Sequence, residues 1–361
     1  MSFRLPRSAA VLVLVLLAVA AATWLRPGMM LGAYLTVWWL WMGVMLGALA
    51  NVWLHNLTGG AWGEAIRQPL LHLSSKVWIA ALLFLPVLLG TYELYPWAAH
   101  AGEPSGWAGE LSAPAFKRTW LTPTFFYGRS IAYLAVWSGL AYLSRRAGLA
   151  RSKPFSALAL LAYGLTSGLA AVDWVMSLMP LWYSSVFGWL VNAGQMLGGM
   201  AFGVAVVTRS RTPPSVNVSR DLGNLLLMYI MLWAYLAFSE FLIIWAENLP
   251  HEIAWYVARR DLPWLAVAWA LALGMFLIPL LLLLSRALKQ TPVVLGWIAS
   301  ALLFMQFINT CWLVLPSLPM AAIHWLWALP LTAAPFAVLA AASWRARKLP
   351  AHDNRAGLHH A

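Results

Sequence analysis

Long apolar runs, each about 20 residues and almost free of charge, recur along this chain, and nothing else constrains its fold so tightly. A helix that crosses the hydrocarbon core of a bilayer needs about 20 largely apolar residues. Such runs lie near 8–25, 30–54, 72–91, 124–143, 154–178, 184–208, 221–246, 262–285, 292–313 and 322–343. They predict an all-α, polytopic membrane protein with about ten transmembrane helices. Residues 1–345 then form a single integral membrane domain, and 346–361 a polar cytoplasmic tail.

Composition agrees. Hydrophobic residues make up 62% of the chain and charged ones 9%, where a soluble domain is about a quarter charged. A water-soluble fold this apolar would leave a large greasy surface exposed. The 24 Trp fit a chain with many membrane–water boundaries, where Trp and Tyr concentrate.

The net charge of +12 does not point to nucleic acid. The basic residues sit mostly in short loops between apolar runs, with no basic face, zinc-finger spacing or RNA-binding signature. Six of the 23 Lys and Arg (Arg26, Lys117, Arg118, Arg129, Arg259 and Arg260) fall at or near one side of the expected topology. The other seventeen fall on the side that holds both termini. The positive-inside rule makes that second side cytoplasmic. The first run resembles a signal peptide, with Arg4 and Arg7 before an apolar core and small residues at Ala18–Ala22, but it reads as a retained span.

Local signals mark several helix starts. Pro154 suits a first turn, Thr291-Pro292 reads as cap then first-turn proline, and Ser219 and Asp221 are candidate caps for the run at 221–246. The outer loops near 92–123 and 247–261 are the longest, and form a natural docking surface. Prolines cluster near the ends of runs, except Pro86 and Pro279.

An ionisable side chain in hydrocarbon is costly and is a functional candidate by default. Arg129, Asp173 and Glu240 each lie about five or six residues inside the outer end of a run, at similar depth. Ser177 follows Asp173 at i+4, and Glu247 follows Glu240 at i+7, each pair on one helix face. Gln306 and Asn309 lie toward the outer end of their run; Asn192 and Gln195 lie deeper. Together they predict a polar cluster between helices, open to the outer side, in which Arg129 and Asp173 pair. For Glu240, a proton-carrying and a structural role both fit; for Arg129 and Asp173, a structural ion pair is the favoured reading.

Other chemistries find no support. Cys311 is the single cysteine, which excludes an internal disulfide and any Cys-rich metal site. His55, His72, His100, His251 and His324 lie in loops or near run ends, and His352, His359 and His360 in the tail, so none forms an intramembrane pair for haem. No HExxH, Walker A, GxSxG or GxGxxG motif occurs.

Several strings carry a family likeness. They include Leu85-Pro86, Tyr95-Pro96-Trp97, Phe125-Phe126-Tyr127-Gly128-Arg129 and Asp173-Trp174-Val175-Met176-Ser177-Leu178, with Trp182-Tyr183-Ser184. The most specific stretch is 221–260. It runs from Asp221-Leu222-Gly223 through Leu232-Trp233-Ala234-Tyr235-Leu236-Ala237-Phe238-Ser239-Glu240-Phe241 to Asn248-Leu249-Pro250-His251-Glu252, Trp255-Tyr256 and Arg259. Over roughly residues 70–345 the chain resembles the second quinone-binding-type subunit of alternative complex III, the bacterial quinol:cytochrome c oxidoreductase. That subunit is related to polysulfide reductase and NrfD-type membrane anchors.

The resemblance implies two four-helix bundles side by side, roughly 30–178 and 184–313. It implies a respiratory subunit of the bacterial inner membrane without a redox cofactor of its own. The implied ligand is a quinone, ubiquinone or menaquinone. The implied partners are a homologous quinol-site membrane subunit, an iron–sulfur subunit, multihaem c-type cytochrome subunits and a terminal oxidase. Proton passage and scaffolding are implied roles as much as quinol oxidation. Carried over by motif are Arg129, Asp173, Trp174, Ser177, Glu240, Asn248, Pro250, Glu252 and Arg259. Two positions depart from the family pattern: Glu240 stands where Gln is commoner, and His251 where Glu is commoner. The proton-path or quinone-proximal candidates are therefore Arg129, Asp173, Ser177, Glu240, Glu247, His251 and Glu252. A secondary transporter and a purely structural assembly subunit are the competing readings.

Overall fold

The computed structural model describes residues 25–99 and 119–345. The run at 8–25, most of the outer loop 92–123 and the tail 346–361 lie outside the described residues, save the ends of the first two. Among those described, every regular element is a helix. Seven helical stretches are long and apolar enough to cross a membrane: Pro27–Thr58, Ala61–Leu89, Lys153–Leu178, Phe187–Val207, Val216–Glu247, Leu262–Leu284 and Pro292–Ser317. They contain four of the expected runs and most of three more, 72–91, 184–208 and 262–285. The runs at 124–143 and 322–343 fall on helices Pro123–Leu143 and Trp325–Arg345, of 21 residues each, which are not among the seven.

Helix α1 (Pro27–Thr58) is the hub. It is apolar around its whole circumference, the pattern of a helix with protein on all sides. Of its most apolar 18-residue stretch 83% is buried, against 22% for Leu262–Leu284. Around it pack α6 (Lys153–Trp174), α7 (Phe187–Val207), α12 (Pro292–Val314) and α13 (Trp325–Arg345). The α1–α7 contact is the most extensive among the described elements, and small residues make it possible. A Cβ at Gly47 would run into the Gln195 carbonyl, and one at Gly199 into the backbone of Gly47 and Ala48. Close backbone approach of this kind is how helices associate without a hydrophobic driving force between them.

Side chains bury in two clusters. One joins Trp38, Trp39, Phe84, Trp137 and Trp174. The other joins Ile66, Leu70, Met200, Leu222, Tyr229 and Leu302. The outer surface stays apolar, with Met231, Tyr235 and Phe238 exposed on α8 (Val216–Glu247), and Trp269, Leu273 and Leu281 exposed on the stretch that follows.

Three expectations about local structure change. The charged stretch after His55 is not a loop. It forms α2 (Ala61–Ser74), with Pro69 inside it, and Glu64 and Gln68 on an exposed face over buried Ile66 and Leu70. The cap of α8 is Ser215, whose hydroxyl accepts from Val218 N at 3.4 Å, so Ser219 lies inside the first turns. Thr291 precedes the first-turn Pro292 as expected, yet its hydroxyl donates back to the Ala287 carbonyl at 3.1 Å.

The two mid-run prolines each leave a mark. Pro86 follows a break between α3 (Val77–Leu82) and α4 (Leu85–Leu89). Proline has no N–H to give, and α1 satisfies carbonyls in this interrupted region. Trp38 Nε1 donates to Ala80 O at 2.7 Å, and Tyr34 OH to Leu83 O at 2.5 Å. Pro279 follows a π-helical segment, Ala272–Leu277, between α10 (Leu262–Leu271) and α11 (Ile278–Leu284). Such a bulge absorbs the clash of the proline ring with the preceding turn.

Candidate functional site

Two buried carboxylates define two different sites. The first is Asp173, near the end of α6 and 0% exposed. It faces Arg129, on α5 (Pro123–Leu143), in a two-bond fork: Nε to Oδ2 and Nη2 to Oδ1, both at 2.8 Å. Trp120 Nε1 adds a bond to Oδ1 at 2.7 Å, and Tyr133 OH one to Oδ2 at 2.9 Å. A carboxylate offers about four lone-pair sites, so this one is saturated. The guanidinium lies against the rings of Trp120, at 4.0 Å, and Phe125, at 4.3 Å.

Ser177 supports the same knot from behind. Its hydroxyl donates to the Asp173 carbonyl at 2.5 Å and accepts from Trp97 Nε1 at 3.2 Å. Tyr95 OH donates to Trp174 O, and Trp174 Nε1 to Ser130 Oγ. The knot ties α5 and α6 to the chain around Tyr95 and Trp97. Chemically it has no vacant acceptor and offers a fixed, charged strut.

Glu240 is the opposite case. It lies on α8, 4% exposed, at the wall of a cavity of about 590 Å³. The Ser184 side chain is the carboxyl's polar neighbour, while Oε1 is buried without a partner among the described residues. Trp233, seven residues earlier on the same helix face, also lines the cavity, and its Nε1 likewise has no partner. Aromatic and aliphatic side chains form the rest, including Phe241, Trp255, Tyr256, Phe276 and Trp312. Tyr235 and Phe238 are exposed at 67% and 62%, so the cavity reaches the apolar flank of the molecule.

Two of the lining residues, Trp255 and Trp312, are braced by Arg259. Helix α8 ends where Asn248 takes a left-handed conformation (φ 49°), and α9 (Pro250–Val257) folds back. Arg259, 2% exposed, then reaches the last turn of α12. It donates to Trp312 O at 3.1 Å, Leu313 O at 3.2 Å, Ser317 Oγ at 3.1 Å and Trp255 O at 2.8 Å. These bonds satisfy helix-end carbonyls that have no partner within the helix. The guanidinium carbon also sits 3.3 Å from the Trp255 ring centre. Trp255 and Trp312 are thereby fixed where they line the cavity.

The remaining candidates lie at the edge. Glu247 is exposed and lines no part of the cavity. His251 is exposed and stacks on Tyr183, with ring centres 6.3 Å apart, and its Nε2 is 4.0 Å from Glu252 Oε1. Glu252 is half-buried, and its Oε2 has no partner among the described residues. No side chain that hydrogen-bonds to the Asp173 carboxylate lines the Glu240 cavity. The expected single polar layer is thus resolved into two centres.

Deeper in, Gln195 Oε1 accepts from Tyr163 OH at 3.0 Å and Ser167 Oγ at 2.9 Å. Gln195 Nε2 and Gln306 Oε1 are buried without partners among the described residues, and both side chains line a small internal hollow. Its volume of about 10 Å³ is near the least that holds one water molecule. Asn309 and Leu313 line this hollow and the Glu240 cavity alike, so the two share a wall.

Among the described residues, no three His, Cys, Asp or Glu side chains converge as metal ligands. No family model matches the chain, and no curated protein matches it significantly. Sequence reasoning missed Trp120 and Tyr133 as partners of Asp173, although Tyr133 follows Arg129 at i+4 and so shares its face. It also missed the pairing of Trp233 with Glu240, which the seven-residue spacing contained.

Proposed function

We propose that this chain is an integral membrane subunit of a bacterial quinol-oxidising electron-transfer complex, and that the cavity beside Glu240 receives a quinone headgroup. On this reading the chain has about ten transmembrane helices in two four-helix bundles. It lies in the inner membrane with both termini cytoplasmic and holds no redox cofactor of its own. Its partners are a homologous quinol-site subunit, an iron–sulfur subunit, multihaem c-type cytochromes and a terminal oxidase. The resemblance of residues 221–260 to the alternative complex III subunit supports the choice of complex.

The observation that carries the ligand class is the lining of the cavity. Its walls are apolar and aromatic, it reaches the flank where lipid would lie, and it holds one unpartnered donor and one unpartnered acceptor. A quinol headgroup is a flat ring with oxygens at opposite ends, each able to donate or accept. Trp233 and Glu240 are separated by about 10 Å along the helix axis, a gap that such a ring and two hydrogen bonds bridge. A quinol hydroxyl would donate to Glu240 Oε1, which is placed to take its proton as electrons leave for a partner subunit.

Affinity purification from native membranes in mild detergent tests the reading. Co-elution of c-type haem, an iron–sulfur subunit and quinol:cytochrome c reductase activity is expected, with extractable quinone that falls in Glu240→Gln. A colourless protein without these partners would sink the assignment. It would promote the reading as a secondary transporter, which the interruptions at Pro86 and Ala272–Leu277 favour, since transporters use discontinuous helices.

A further inference from the structure

Away from both carboxylates, a hollow of about 320 Å³ lies at the ends of α2 and α5, bordered by Arg67, Gln68, His72, Ser144, Arg145 and Arg151. Among the described residues no carboxylate lines it. Arg151 is neutralised by Glu64 through two bonds, at 2.5 and 3.0 Å. Arg67 is not. It is 5% exposed, yet its bonds go to neutral acceptors, Asn56 Oδ1 at 2.8 Å and the Ala150 carbonyl. A guanidinium has five N–H donors, so three remain on a side chain that borders the hollow. Arg145 is exposed, and neither it nor Arg67 has an ion-pair partner among the described residues. Two guanidinium groups without a salt bridge among the described residues, one of them buried, border one polar space.

We infer that this hollow binds the phosphodiester of an anionic phospholipid headgroup. Arginine forks match phosphate oxygens in geometry and charge, and basic pockets between membrane helices take such headgroups. Placement separates a lipid from a free anion. The hollow lies where the chain leaves one long apolar helix at Leu143 and enters the next at Lys153. Helices α3 and α5, which lead away from it and pack together, expose Trp78, Leu82, Val136 and Leu143. These side chains give acyl chains an apolar track that begins at the basic hollow. The inference is independent of any quinone at Glu240.

Native mass spectrometry of the delipidated full-length protein tests it, with phosphatidylglycerol, phosphatidylcholine and inorganic phosphate as probes. Phosphatidylglycerol should be retained over phosphatidylcholine. Arg145→Gln should weaken that retention about fivefold, the effect of one basic residue at a membrane surface, and adding Arg67→Gln should weaken it further. Arg146→Gln, whose guanidinium rests on the Tyr142 ring outside the hollow, should leave it unchanged. Circular dichroism verifies that each variant is folded; Arg145 is exposed, so its replacement leaves the helices intact. Equal retention of the two lipids, or equal losses in Arg145→Gln and Arg146→Gln, would overturn the site. Displacement of phosphatidylglycerol by millimolar inorganic phosphate would overturn its assignment to a lipid.

Discussion

Asp173 and Glu240 are both buried carboxylates near the ends of long apolar helices, yet their surroundings give them opposite characters. Asp173 receives four hydrogen bonds from Arg129, Trp120 and Tyr133. Glu240 has one hydroxyl neighbour, an oxygen without a partner, and open apolar space beside it. The difference is one of neighbours rather than of residue type. A saturated carboxylate fixes helices, whereas an unsaturated one beside a cavity is available to a ligand or a proton.

Breaking the first site should cost most. Asp173→Asn strands the buried Arg129 charge and should lower stability by roughly 3–5 kcal/mol, read as thermal unfolding in detergent. Arg129→Lys keeps the charge but loses the planar fork, and a loss of about 2 kcal/mol is expected in the same assay. Arg259→Gln sharpens the contrast from the other side. It frees the end of α12 and the lining residues Trp255 and Trp312, so binding of a quinone analogue should weaken about tenfold, with about 1–2 kcal/mol of stability lost. Glu240→Gln should change stability by less than about 1 kcal/mol, because the carboxyl makes no salt bridge among the described residues, while reducing quinone content. Should Glu240→Gln unfold the protein as readily as Asp173→Asn, the distinction between the two sites would collapse. The smallest effect is expected for Gln306→Leu, within about 1 kcal/mol.

How much of this was legible beforehand varies with the kind of interaction. Long helices follow from apolar runs, because in hydrocarbon the backbone must satisfy itself, and Pro154 lies in the first turn of α6 as read. The pairing of Arg129 with Asp173 follows from equal depth and opposite charge. What did not follow was the helix at Ala61–Ser74, where charges at Glu64 and Arg67 mimic a loop, although Ile66, Arg67 and Leu70 are all buried in it. The cavity was equally hidden. It depends on a left-handed turn at Asn248 and on Arg259 grasping a helix more than fifty residues later in the chain. The basic hollow was read only as charge on the side of the termini; which arginines are neutralised is a matter of tertiary geometry.

The enclosure of α1 bears on how the molecule is made. Pro27–Thr58 precedes in sequence every described helix that comes to surround it. As it leaves the ribosome, a helix with Asn51, Thr36 and a glycine-lined face would meet lipid before it meets α6, α7 or α12. Its final environment is assembled around it later, in the order in which those helices are synthesised. Chains truncated before Phe187 would therefore lack the partner of the Gly47 face and should be prime substrates for membrane quality-control proteases.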